Sequence, residues 1–222
     1  MSRDRLLAFA QLLRIPNVFT AFADVALGAC VAAAVLPSMP VEFWAAYLIL
    51  ALASGALYLA GMVWNDVFDL AEDQKARAFR PLPSGRVGRG TAIALGTLLF
   101  AAGIALACAA GLPGQPEWNH EPLVFALGIL AGVMIYDGGA KRTPAGPVAM
   151  AGCRFLNVLL GLSLIPEAAL DIEYRVHLAA VVGVYIIGGQ FLRCTHIRRS
   201  YEYRRQCWPG TRAGAVFFCS IN

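Results

Sequence analysis

Six long apolar runs decide what this chain can fold into. Residues 18–36, 43–64, 92–112, 123–136, 147–166 and 176–192 are dominated by Ala, Val, Leu, Ile, Phe and Gly. Crossing the hydrocarbon of a bilayer takes about 20 residues of helix. The chain therefore reads as an all-α polytopic transmembrane bundle of about six spans. The fourth run is short, and the fifth carries Arg154. Of the 222 residues 59% are hydrophobic and only 14% charged, too little polar surface for an ordinary soluble domain.

The basic residues test that parse independently. Arg3, Arg5 and Arg14 precede the first run, and Lys75, Arg77, Arg80, Arg86 and Arg89 separate the second from the third. Lys141 and Arg142 separate the fourth from the fifth, and six further arginines follow the sixth. The alternate connections contain Arg175 alone. Because cytoplasmic loops collect Lys and Arg, both termini and the two basic loops are expected in the cytoplasm of an inner or plasma membrane. The same bias accounts for the net charge of +4, and no stacking or groove-reading motif accompanies it, which argues against nucleic acid. The N-terminus has no signal-peptide cleavage pattern, and residues 4–13 read as a helix lying at the interface. The six cysteines form no C-x-x-C pair, so neither a disulfide framework nor a zinc site is expected. Glycines inside the runs suit helices that pack closely in lipid. With no repeat and no low-complexity segment, the chain reads as one domain over residues 1–193, with 194–222 as an atypical basic tail.

The charge is concentrated in WNDVFDLAEDQKARAFRPLPSGR, residues 64–86. If the second span continues as helix, Asn65, Asp66, Asp69 and Asp73 fall within an arc of roughly 100°. Three carboxylates and an amide on one face repel one another unless a cation sits among them. Oxygen-only ligands suit Mg²⁺, which shares its shell with phosphate oxygens. Arg77, Arg80 and Arg86 can reach such oxygens with planar forks of donors. The bland alternative is a solvated loop whose opposite charges pair with one another.

Asn65-Asp66-x-x-Asp69-x-x-x-Asp73 followed by Arg80-Pro81-Leu82-Pro83-Ser84-Gly85 resembles the first aspartate-rich motif of the UbiA-type intramembrane prenyltransferases. Arg14-Ile15-Pro16-Asn17 and the loop from Tyr136 to Lys141 and Arg142 are similar to further segments of that family. The resemblance implies a Mg²⁺-dependent enzyme that transfers a prenyl group from a prenyl diphosphate to an aromatic or other small acceptor. It implies metal ligation by Asn65, Asp66, Asp69 and Asp73, and catalytic roles for Asp66, Asp69, Lys141 and Arg142. Arg14, Asn17, Arg77, Arg80, Tyr136, Arg154 and Asn157 would bind substrate. Arg154 and Asn157, three apart, share one side of the fifth span; they either touch substrate, or Arg154 snorkels to the interface or pairs with Asp24 or Asp137. Asp137 and Lys141, four apart, are placed to pair if that segment is helical. The three histidines have no ligand-like spacing.

The family usually has about nine spans and a second aspartate-rich motif after the sixth. Here that region reads RCTHIRRS, and residues 193–222 hold one acidic residue, Glu202. The abrupt change motivates the hypothesis of a chain shortened or frame-shifted near Arg193; one uninterrupted reading frame through that point would reject this. The alternative function is a non-catalytic relative that binds or moves a polyprenyl or amphipathic metabolite. Soluble prenyl diphosphate synthases are excluded by the spans. Membrane phosphoalcohol transferases are excluded because no aspartate pair follows Asp137-Gly138.

Overall fold

The computed structural model describes residues 3–36, 38–39, 41–111, 118–143, 145–165, 173–174, 176–184, 186 and 188–189. Every regular element among them is helical. Helix α1 (Arg3–Leu13) leads through a 3-10 turn at Ile15–Asn17 into α2 (Val18–Val35). Then come α3 (Val41–Phe68), the short α4 (Leu70–Ala76), α5 (Arg89–Ala110), α6 (Glu121–Gly138) and α7 (Gly146–Leu162). Pro122 and Pro147 sit in the first turns of α6 and α7, where a missing N–H costs nothing.

The helices containing α2, α3, α5 and α6 are long and apolar enough to cross a membrane. Helix α7 is shorter than the expected fifth span, with 17 residues. Its chain turns at Ser163, whose hydroxyl donates back to the Leu160 carbonyl and whose own carbonyl accepts from Asn119 Nδ2. Of the expected sixth span, residues 176–184 are helical and residues 190–192 lie outside the described residues. The region expected to hold a second aspartate motif, residues 193–200, also lies outside them.

Helices α2, α3, α6 and α7 close into a ring by packing α2 on α3, α3 on α6, α6 on α7 and α7 on α2. Helix α5 packs against α3 and α6 from outside. Its fit on α3 depends on Gly103, where a Cβ would come 2.7 Å from Leu57 Cγ. At the α2–α7 crossing the backbones touch. A Cβ on Gly28 would overlap the Val158 carbonyl oxygen, and one on Gly161 the Val25 carbonyl oxygen. Glycine is what lets helices approach this closely where lipid tails offer no hydrophobic drive between them.

Helix α1 does not float free. Ala8 and Leu12 are buried against Val63, Val67, Leu82, Val87 and Ala92, while Leu6 and Leu7 on its other side are half exposed. The proline-containing loop after α4 is packed rather than solvated. Leu82 and Val87 are buried, Gly85 takes the left-handed conformation (φ 74°), and Arg86 Nη2 donates to the Phe79 carbonyl at 2.7 Å. Arg14, at the turn between α1 and α2, is left-handed as well (φ 47°), a conformation a non-glycine residue holds only where its surroundings impose it.

Candidate functional site

Inside the ring lies a cavity of about 350 Å³. Its mouth is at the end of the bundle where α3 and α6 finish, and its apolar walls come from Leu57, Gly61 and Met62 on α3 and Ile129 and Val133 on α6. No α5 residue lines it.

The acidic wall grows out of the end of α3. The helix breaks at Asp69 (φ −88°, ψ 3°), although Asp69 N still donates to the Asn65 carbonyl and Asp73 N to the Asp69 carbonyl. The chain is thus almost continuous helix, and Asn65, Asp69, Glu72 and Asp73 line the cavity. Asp66, at the edge of the expected arc, does not. It faces a second cavity on the other side of α3, where Arg14 Nη2 donates to Oδ1 at 2.7 Å and Arg80 Nη1 reaches the same oxygen at 3.5 Å. Arg80 also donates to Asp73 Oδ2 at 2.7 Å, and Arg77 to Asp73 Oδ1 at 3.3 Å. The expected four-oxygen face is therefore divided between two sides of the helix. Among the described residues no three acidic, His or Cys side chains stand close enough to hold an ion together.

The opposite wall comes from the end of α6. Asn65 Nδ2 donates to Asp137 Oδ1 at 2.7 Å, fixing α3 to α6. Lys141, in the 3-10 turn Ala140–Arg142, lies 2.7 Å from Asp69 Oδ1 and 3.3 Å from Asp137 Oδ1, so the i,i+4 pair is present and is shared with the acidic wall. Arg142 stands 3.6 Å from Asp69 and 3.4 Å from Glu72. Basic side chains from one wall thus bridge the mouth to carboxylates of the other.

Further in, Arg154 of α7 donates from Nε and Nη2 to Asp24 of α2, the partner being Asp24 and not Asp137. Asn157 is committed to helix packing. It accepts from Ser54 Oγ at 2.7 Å and donates to the Ala21 carbonyl at 3.0 Å, so one amide ties α7 to α3 and α2. Such interhelical bonds hold spans together where hydrophobic attraction cannot. Tyr136 lines the cavity, as do Arg14, Arg77, Arg154 and Asn157. Asn17 sits in the 3-10 turn beside Tyr58 rather than among the lining residues. Sequence reasoning passed over Glu72 and Ser54. Glu72 lies three residues from Asp69 and so on the same helix face, and Ser54 is a lone hydroxyl in an apolar run.

The donor chemistry of the mouth suits a hard cation, since Asn65, Asp69, Glu72, Asp73 and Asp137 offer oxygen alone. Every carboxylate there except Glu72 has a Lys or Arg within 3.3 Å, and Glu72 has Arg142 at 3.4 Å. A divalent ion arriving alone would meet a wall whose charge is already balanced. An ion arriving with a polyanion would not, because the anion draws the basic side chains onto itself and releases the carboxylates.

Comparisons with known proteins agree with this architecture. The chain is 35% identical over 157 residues to the digeranylgeranylglyceryl phosphate synthase of Saccharolobus solfataricus, covering 70% of this chain and 51% of that protein. It is 33% identical over 145 residues to the Pyrococcus abyssi protein of the same name, covering 65% and 48%. Over 105 residues it is 35% identical to protoheme IX farnesyltransferase 1 of Cenarchaeum symbiosum, covering 46% and 33%. The chain thus spans about half the length, or less, of these relatives. A solved structure from work on digeranylgeranylglyceryl phosphate synthase in membranes superposes with a TM-score of 0.67 at 19% identity, over 90% of this chain and 66% of that one, and so shares its fold. The profile of the UbiA prenyltransferase family matches residues 25–206, from within α2 past the last described helix, and on that match this multi-pass membrane chain belongs to the UbiA prenyltransferase family.

Proposed function

We propose that the chain carries out, or forms part of a protein that carries out, transfer of a prenyl group from a prenyl diphosphate to a small acceptor. The observation that carries this reading is the bridged mouth: an acidic wall and a basic wall face each other across the entrance of a largely apolar cavity. A diphosphate at the mouth takes Lys141 and Arg142 from Asp69 and Glu72, while the prenyl chain extends past Leu57, Ile129 and Val133 and displaces water from them. Asp69 and Glu72 are then released and, with Asn65 beside them and Asp73 still held by Arg77 and Arg80, would hold Mg²⁺, which when bound would stabilise charge on the departing diphosphate. Lys141 and Arg142 share that task through charge-assisted hydrogen bonds. Asp66 acts from behind, keeping Arg14 and Arg80 in place at the foot of the acidic wall. The dry apolar walls protect the electron-poor prenyl carbon from water until an acceptor attacks it. The basic segments meet at one end of the bundle, as the contacts of Arg14 with Asp66 and of Lys141 with Asp69 require, and we assign that end to the cytoplasm.

The relatives' names carry geranylgeranyl and farnesyl, which makes those diphosphates the first donors to try. The purified protein in nanodiscs is expected to release diphosphate from one of them only with Mg²⁺, and to prenylate an acceptor from a small aromatic and glyceryl panel. Asp69→Ala should remove Mg²⁺-dependent binding and release while leaving membrane insertion intact. Binding without release would favour a non-catalytic carrier of prenyl compounds, and Mg²⁺-dependent binding unchanged in Asp69→Ala would reject the site.

A further inference from the structure

Two apolar helices, α2 and α7, each carry a charge, and the two charges meet. Arg154 Nε donates to Asp24 Oδ2 at 3.1 Å and Nη2 to Oδ1 at 2.7 Å, a two-pronged pair lining the cavity. A charge in a span is costly and marks a functional place by default. Packing alone does not call for this one. The α2–α7 crossing is already held by Gly28 against Gly161, and by the amide of Asn157 on the Ala21 carbonyl.

The two side chains are unequally covered. Asp24 is 10% exposed and Arg154 37%, so the carboxylate is shielded while the remaining N–H groups of the guanidinium are left to the cavity. The pair is formally neutral. It offers donors to an oxygen without a net positive charge, and a second anion docking there would meet the Asp24 carboxylate close by. The mouth has the opposite character, since Lys141 and Arg142 can be drawn from their carboxylates onto an anion.

We infer that Arg154, fixed by Asp24, docks an uncharged hydroxyl or carbonyl oxygen of the acceptor, and that Asp24 makes this part of the cavity reject anionic head groups. The word acceptor rests on the prenyl-transfer reading; the binding preference stands without it.

The test uses the full chain in nanodiscs with excess Mg²⁺ and inorganic pyrophosphate to occupy the anion-binding mouth, and two matched probes, 4-hydroxybenzyl alcohol and 4-hydroxybenzoate, followed by ligand-observed NMR. The alcohol is expected to bind at least roughly tenfold more tightly. Asp24→Asn, of equal size, leaves Arg154 uncompensated and should reverse the order. Arg154→Lys keeps the charge but loses the fork, and should weaken the alcohol while preserving its preference, which provides a second check if Asp24→Asn does not fold. A wild type that binds the carboxylate as well as the alcohol, or binds neither, overturns the inference, as does an order unchanged in folded Asp24→Asn. Prenyl transfer measured on the same preparations before pyrophosphate is added separates the two readings. Transfer with an unreversed probe order sinks this inference alone, whereas the expected reversal without transfer supports it and counts only against transfer by this chain on its own.

Discussion

The α2–α7 crossing allows a stability prediction in which one added methyl group meets backbone and nothing flexible. In Gly161→Ala the new Cβ would overlap the Val25 carbonyl oxygen, with Ala29 N and Gly28 Cα each only 3.0 Å away. None of these atoms can rotate aside, so the helices must part by about 1 Å, and a gap of that size forfeits about a quarter to a half of each contact's attraction. The neighbours that lose contact are buried: Val25, Ala29, Val158 and Leu162. Overpacking of this kind costs about 1–3 kcal/mol, and backbone obstruction puts it at the upper end, about 3 kcal/mol or roughly 150-fold in the unfolding constant. Gly152→Ala on the same helix is the control. Nothing lies within 4 Å of its added Cβ, so it should be neutral or gain up to about 1 kcal/mol from helix propensity. Steric-trapping unfolding in bicelles measures both. A Gly161→Ala protein as stable as wild type would show that the two backbones do not touch, and would remove the argument that this crossing holds α2 and α7 without help from Asp24 and Arg154.

Lys141→Met should separate two properties that usually move together. Removing a cation 2.7 Å from Asp69 and 3.3 Å from Asp137 is expected to tighten binding of Mg²⁺ alone by roughly tenfold, while diphosphate binding weakens by roughly a hundredfold. Calorimetry that finds both weakened would contradict the picture of Lys141 as a side chain passed from carboxylate to anion. Asn157→Ala strips Ser54 of its 2.7 Å partner and leaves a 3.3 Å contact to the Ala21 carbonyl. A loss of about 1 kcal/mol in unfolding free energy is expected, and Ser54→Ala added to it should cost little more; additive losses would mean that the two side chains act separately.

Hydropathy located the spans well, because the length of an apolar run and the thickness of hydrocarbon constrain the same quantity. Residues 18–36 became Val18–Val35, and residues 43–64 became Val41–Phe68. The third and fourth runs differ from their helices by at most three residues at either end. The fifth run over-reached at its C-terminal end, since Ser163 and the Asn119 contact stop α7 early and neither is visible in a hydropathy average. The i,i+4 pairing of Asp137 with Lys141 was legible because it is local. Side-chain direction was not. Asp66 lies 100° from Asn65 on an ideal helix, and whether that edge position joins the cavity depends on Arg14, 52 residues away, which draws it to the other side. Asp24 for Arg154 was one of the candidates, and the choice over Asp137 follows from how α2 lies on α7, a property of the glycine crossing.

Helix α5 stands outside the ring and lends no side chain to the cavity. Its outer face, where Leu98 is 68% exposed, is left uncovered by the described residues. Side chains there can exchange for other apolar ones without reaching the cavity. The same freedom makes Leu98 a convenient attachment point. A spin label or fluorophore placed there would report how deeply and at what tilt the bundle sits in a bilayer while leaving the chemistry at the cavity untouched.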